Sequence, residues 1–378
     1  MAFLKRRLSN LNLNLNESKE KEQEKASEKF LVDTKNPTCA QNVEELKLMH
    51  WIFSQAHSEP ESTDCIKLIK RISTSQEAQS ARKRAQWVTS YNEQHKALLV
   101  WIMGTQNEYD WKNLLNVCHQ QVQLQKPSPH RINVHDGVYN AVNNVLFYAP
   151  LFADIHIHFS DPSQQIERII LGGHSQGGAI AQLMYMLWRG QVECEFVDYF
   201  KEQMASTDFQ IEFDHVYTLG PVLVVSHSSM LYVDSIFGTE ITNVINAHDP
   251  IPQMYAGNNR APPQPLKASK KLGTARMAIN KYGQAMMDNF HRIASFGPIG
   301  KWIVFIDTEL RVLCRKQNED LFHQHLVHGA CTFAQSKAKF SDIPTLLKLQ
   351  KHHLYVTYKA NLDRILHHHV NAISNLDA

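Results

Sequence analysis

The sequence predicts an α/β fold, with a mostly parallel central sheet and helices on both faces. Three observations carry this reading. Short apolar runs alternate with stretches of helical periodicity. Two of the runs, Leu98-Leu99-Val100-Trp101-Ile102 and Ile169-Ile170-Leu171, lack polar residues, as strands covered on both faces require. From Ile169 to Ala181 the chain reads as a strand, a turn crowded with glycine and an apolar helix in direct succession.

Residues 1–35 form the first segment. A Leu-Asn repeat at 11–16 is followed by a run dense in Glu and Lys, which cannot bury enough apolar surface to fold alone and predicts a disordered tail. Residues 36–366 are expected to form the folded domain, with a short tail at 367–378. Within the domain, Val43, Leu46, Met49 and Phe53 recur at helical spacing and predict a helix over 42–56. A second helical stretch is expected from Asp64 to Arg84. Gln86 to Tyr91, a polar turn at Asn92 to His95 and the apolar run from Ala97 to Met103 predict a hairpin leading into a buried strand that ends at Gly104-Thr105. Residues 106–134 are mixed, with a turn at Pro127-Ser128-Pro129.

A helix is expected over Asp136 to Phe147. A strand over Arg168 to Leu171 and a helix over Gly177 to Trp188 follow, the helix packing Ala179, Ala181, Leu183, Met184 and Leu187 inward. Phe213 to Leu219 and Val244 to Asn246 predict two further strands. Lys301 to Arg315 predicts a hairpin turning near Asp307 to Glu309.

Composition bounds the function. The 378 residues, 43% of them hydrophobic, suffice for one large domain or two small ones. A formal charge of +2 gives no reason to expect a nucleic-acid partner. Val145 to Ile157 is apolar but interrupted by Pro150 and Asp154, and is too short to span a bilayer. No secretory signal is visible, because Lys5-Arg6-Arg7 runs into Leu-Asn alternation and then charges. The six cysteines are scattered without C-x-x-C spacing, so unpaired thiols in a reducing compartment are expected. The expected location is cytoplasmic.

The motif with chemistry is G-x-S-x-G, Gly173-His174-Ser175-Gln176-Gly177. A serine on such a strand-to-helix corner is presented at the top of a sheet, where a carbonyl and a base can both reach it. Free serine is a weak nucleophile and needs that base. An orienting acid should lie in a loop at the carboxyl end of a later strand. Asp249, in Asn246-Ala247-His248-Asp249-Pro250, sits at such a strand end, although taken alone the loop reads first as an Asp-Pro turn. The oxyanion needs two backbone N–H groups. Gln176 follows the nucleophile at the start of a helix, and Thr105 ends an earlier strand; these are the candidates. The base should follow Asp249 in chain order. Among 21 histidines, spacing leaves His291, His323, His325, His328, His352, His353 and His367 to His369 open. His323-x-His325-x-x-His328 matches no zinc-ligand spacing, so neither a metal nor another cofactor is expected.

Several segments, in the right order, resemble the class 3 lipases, the fungal-type triacylglycerol lipases and their intracellular relatives. Leu98 to Thr105 with Asp110-Trp111 is similar to the family's strand ending in Gly-Thr or Gly-Ser. His135-Asp136-Gly137-Val138-Tyr139 is similar to its H-x-G-F/Y helix start. Gly173 to Gly178 matches the G-H-S-L-G-G elbow, with Gln176 in place of Leu. Thr218-Leu219-Gly220-Pro221 is similar to T-F-G-x-P, with the proline one place early. Val244 to Pro252 resembles V-N-x-x-D-P-V-P. Phe296 to Trp302 resembles the P-x-G entry to a late strand. His353-Leu354-Tyr355-Val356-Thr357-Tyr358 with Leu362 resembles H-S-M-x-x-Y-x-x-x-L.

The resemblance covers roughly residues 40–365. It implies an α/β-hydrolase fold and a serine hydrolase cleaving carboxylic esters of lipids, acylglycerols or phospholipids, through an acyl-enzyme. It implies Ser175 as nucleophile, Asp249 as acid, His353 as base and Thr105 as an oxyanion residue. Trp111 lies where the resemblance places a lid. Met286 belongs to an apolar stripe after Asp249 that suits acyl chains, though a core role suits it as well. With His174 beside the nucleophile, these are the candidate substrate contacts. Peripheral contact with a membrane or lipid-droplet surface goes with such a substrate. The alternatives are a catalytically silent lipase-like binding or signalling scaffold, and an acyltransferase or thioesterase using the same triad.

Overall fold

The computed structural model describes residues 48–54, 87–104, 116–207, 209–246, 249, 252, 295–306, 309–313 and 357–363. The chain divides into two compact units, Met1–His50 and Trp51–Ala378. Of the first, residues 48–50 are described and are helical. All elements below belong to the second. The segment boundaries expected at 35 and 366 and the helix expected over Asp64 to Arg84 lie outside the described residues, as does most of the helix expected over 42–56.

The main sheet has seven strands. They are β1 (Trp87–Asn92), β2 (Ala97–Ile102), β5 (Arg168–His174), β6 (Phe213–Leu219), β8 (Ile241–Asn246), β10 (Lys301–Ile306) and β11 (Glu309–Leu313), adjacent in that order. The five from β2 to β10 are parallel. β1 and β11 close the two edges as antiparallel hairpin partners of β2 and β10. Every residue of β2 is buried, as its uninterrupted apolar run requires. A second, antiparallel sheet joins β3 (His119–Leu124), β4 (His130–His135), β7 (Val225–Ser226) and β9 (Phe296–Gly297).

Five helices complete the frame: α1 (Asp136–Val142), α2 (Val145–Phe159), α3 (Gln176–Arg189), α4 (Glu195–Ala205) and α5 (His227–Phe237). A sixth, α6, covers 357–363. The single helix expected over Asp136 to Phe147 is two. Asn144 breaks it, its side chain accepting from the Leu146 N–H to cap α2. α2 continues through Pro150, and among the described residues no helix is long and apolar enough to cross a membrane.

α3 packs against β2, β5 and β6. All its residues from Gln176 to Leu187 are buried, the pattern of a helix enclosed on every side. Ala179, Ala181, Leu183, Met184 and Leu187 point inward as expected. The strand expected at Val244 begins earlier, at Ile241. Cys118 and Cys194 form no disulfide. The result is α/β-hydrolase architecture, with the carboxyl ends of its parallel strands gathered on one edge.

Candidate active site

Ser175 stands between β5 and α3 with φ 56° and ψ −122°. Side chains other than glycine rarely adopt positive φ, and such a residue persists only where its surroundings hold it. Here the main chain holds it. The Ser175 N–H donates to the Leu219 carbonyl at the end of β6 (2.9 Å), and its own carbonyl accepts from Ala179 (3.2 Å) in the first turn of α3. The corner is tight enough to require glycine on both sides. A Cβ on Gly173 would lie 2.3 Å from the Gly177 carbonyl carbon, and one on Gly177 would lie 2.1 Å from the Ile102 carbonyl oxygen. The motif is thus a packing requirement of the strand-to-helix corner.

The carboxyl end of β2 abuts this corner. A Cβ on Gly104 would sit 3.3 Å from Ser175 Cβ and 3.3 Å from His174 Nδ1. Gln176, the first residue of α3, is buried. The first N–H groups of a helix have no carbonyl partner within it, and the helix dipole favours negative charge beside them. Thr105, which follows Gly104, lies outside the described residues, as do Trp111, Met286 and His353. The structure therefore brings Ser175, His174, Gln176 and Gly104 together.

The acid candidate lies two strands away, beyond β6 at the end of β8. Asp249 is 1% exposed. Its N–H donates to the Asn246 carbonyl (2.9 Å), folding the strand end into a tight turn. The Tyr358 hydroxyl donates to Asp249 Oδ2. That same hydroxyl accepts the Asn246 N–H at 3.2 Å, and Asn361 Nδ2 donates to Asn246 Oδ1 at 2.8 Å. Two residues one turn apart on α6 therefore clamp the acid-bearing turn.

Tyr358 is fully buried, and its pKa is pushed well above the usual tyrosine value, first by burial, then by the Asp249 charge and the hydrogen bond to it. It stays a neutral donor. Its ring also meets the half-buried His174 ring edge-on, with centroids 6.1 Å apart. Tyr358 thus joins the elbow to the acid turn.

Sequence reasoning matched Tyr358 only as one position of a motif and gave it no role. The available signal was its spacing from Leu362, which places both on one helical face; both are buried.

The strand order and the β5–α3 corner together define a scaffold of the α/β-hydrolase class. Residues 99–259, from β2 through the elbow to the acid turn, match the family model described as Lipase (class 3). The class 3 lipase resemblance therefore holds over that span. No curated protein matches the chain. Among solved structures, it is similar to a triacylglycerol lipase from Penicillium expansum (12% identity, 63% of this chain and 72% of that one, TM-score 0.38). It is also similar to lipase II from Rhizopus niveus (12%, 75% and 90%, TM-score 0.38) and to a Rhizomucor miehei lipase–propeptide complex (15%, 72% and 72%, TM-score 0.35). These likenesses are distant, and the fold assignment rests on the strand order itself.

Proposed function

We propose that the protein hydrolyses carboxylic esters of lipids, acylglycerols or phospholipids, with Ser175 as nucleophile, His353 as general base and Asp249 as its orienting acid. The observation that carries this reading is Ser175 itself, held at φ 56° on the β5–α3 corner with the end of β2 against it.

In the reaction, the Ser175 Oγ–H proton passes to the imidazole as Oγ attacks the ester carbonyl. The Thr105 and Gln176 N–H groups hold the resulting oxyanion. Collapse expels the alcohol, which takes the proton from the imidazolium. Water, deprotonated by the same imidazole, then releases the fatty acid and restores Ser175. Asp249 fixes the imidazole tautomer and balances its transient charge. His174, Trp111 and Met286 are assigned to substrate binding. The enzyme works from the cytoplasm on lipid presented at a membrane or droplet surface.

Fluorophosphonate labelling tests the nucleophile. The wild type should label and Ser175→Ala should not; labelling of neither rejects the hydrolase reading in favour of a silent scaffold, and labelling of both rejects Ser175 as the nucleophile. His353→Ala should slow labelling by orders of magnitude. If His291→Ala or His328→Ala does so instead, the base is reassigned. Release of fatty acid from emulsified triacylglycerol and from phospholipid vesicles then separates the two substrate classes.

A further inference from the structure

Among the described residues, a polar knot lies in the apolar interior away from the reacting groups. Gln182 on α3, Thr218 on β6 and Asn243 on β8 are each at most 2% exposed. Asn243 Nδ2 donates to the Ile299 carbonyl (2.8 Å). A main-chain carbonyl only accepts, so this bond fixes which way the Asn243 amide faces. Its Oδ1 must then receive the other two groups, and it does: Gln182 Nε2 and Thr218 Oγ1 both donate to it at 2.6 Å. One side chain satisfies donors from the nucleophile helix and from β6, and ties both to the segment entering β10.

The position of the knot gives it meaning. Thr218 is in register with Gly173 on one side and with Asn243 on the other, so the three form a row across β5, β6 and β8. α3 lies close on this row. A Cβ on Gly178 would come within 3.0 Å of both the Gly173 carbonyl oxygen and Thr218 Cβ. Gln182 stands six residues beyond Gln176, about 9 Å along a helix. Asn243 stands three residues before Asn246, about 10 Å along a strand. The knot therefore lies at nearly equal depth beneath both reactive ends.

We propose that Asn243 is a positioning residue that braces the nucleophile helix against the acid strand and so holds Ser175 and Asp249 in a common register. Buried amides are costly unless every group is partnered, and partnered networks fix one arrangement where apolar packing would tolerate several. An apolar residue at 243 would let α3 slide on the sheet, and a small displacement of reacting groups costs rate steeply.

The catalytic consequence rests on the triad reading above; the mechanical one does not. Thr218→Val removes one donor without changing shape, and Thr218→Ser restores it. Gln182→Leu removes the other. Amide hydrogen exchange should show Thr218→Val and Gln182→Leu each losing protection together in peptides covering 172–182 and 241–249, with Thr218→Ser restoring both. Loss at only one of the two segments overturns the brace, whether or not the wild type hydrolyses anything. With activity present, kcat per fluorophosphonate-titrated site should fall about tenfold or more in both variants, with KM within twofold of wild type. Val233→Ala, a cavity in the remote helix α5, should lower Tm and leave kcat per site unchanged. Wild-type kcat per site in Thr218→Val and Gln182→Leu also overturns the proposal. A wild type that does not label defeats the triad reading and leaves exchange as the deciding measurement.

Discussion

Tyr358 gives its hydroxyl hydrogen to Asp249 Oδ2 while its ring lies edge-on to His174, so one side chain touches both the acid turn and the nucleophile elbow. A donor held against one carboxylate oxygen fixes the orientation of that carboxylate. Tyr358→Phe keeps the ring and loses the donor. Hydrogen bonds to charged groups contribute about 1.5–3 kcal/mol, so kcat should fall about ten- to a hundredfold. A loss of Tm with kcat unchanged would assign Tyr358 a packing role only.

The same residue governs alkaline stability. Tyr358 is raised well above its ordinary value of 10.0, Tyr185 is raised to about 12, and the Cys194 thiol is pushed from 9.0 to about 11, with burial the largest cause in each. The native state therefore holds these protons more tightly than the unfolded chain does. Their contribution is complete below about pH 9 and declines as the unfolded thiol and phenols ionise above it. Urea midpoints should be level from pH 7 to 8.5 and fall between 9 and 11. Tyr358→Phe and Cys194→Ser should each flatten that fall. Equal slopes in all three proteins would contradict the assignment.

Two glycines beside the nucleophile should separate folding from catalysis. Gly177→Ala places a Cβ 2.1 Å from one β2 carbonyl oxygen and 2.4 Å from the next, and backbone cannot yield at so central a point. It should fail to fold or lose several kcal/mol, as overpacked core sites do at their worst. Gly104→Ala meets His174 and Ser175 at 3.1–3.3 Å, contacts that a few tenths of an ångström relieve. That variant should fold with a near-native Tm and lose about tenfold in kcat, because the space it fills is beside the reacting hydroxyl. Circular dichroism melts and ester hydrolysis by the two variants check the contrast.

How much of this was legible in the sequence depended on whether a residue's role is local. The β1–β2 hairpin, β6, the β10–β11 hairpin and the strand–elbow–helix are written in short-range periodicity and glycine spacing, and they lie where the pattern puts them. The small antiparallel sheet is not so written. β7 and β9 are two residues each, too short to carry a period, and β3 is mostly polar, with only Val122 and Leu124 buried. The break between α1 and α2 turns on two adjacent asparagines, Asn143 ending one helix and Asn144 capping the next. The strand-end position of Asp249 could be read locally, but its partner Tyr358 is 109 residues further on, and no local rule links them. Gln182 was visible as a lone polar residue inside Ala179-Ile180-Ala181-Gln182-Leu183-Met184. That it must find a buried partner follows from chemistry; that the partner is Asn243 required the register of β6 and β8.

The strain at Ser175 makes a last prediction. A non-glycine residue held in a sparsely populated backbone region costs about 1–3 kcal/mol, and Ser175 sits at φ 56°, ψ −122°. Ser175→Ala removes the hydroxyl and keeps the strain. Ser175→Gly removes both, at an entropic cost of about 0.5–1 kcal/mol in the unfolded chain. Both variants should be silent to fluorophosphonate. Ser175→Gly should nevertheless be the more stable by about 1 kcal/mol, read from urea midpoints at equal m-value. The comparison isolates the backbone, because the two proteins differ by one methyl group at a site where neither can react. Equal midpoints, or a less stable glycine variant, would mean that the corner is set by its surroundings without strain at the serine, and that the positive φ does not mark a site where stability has been given up for chemistry.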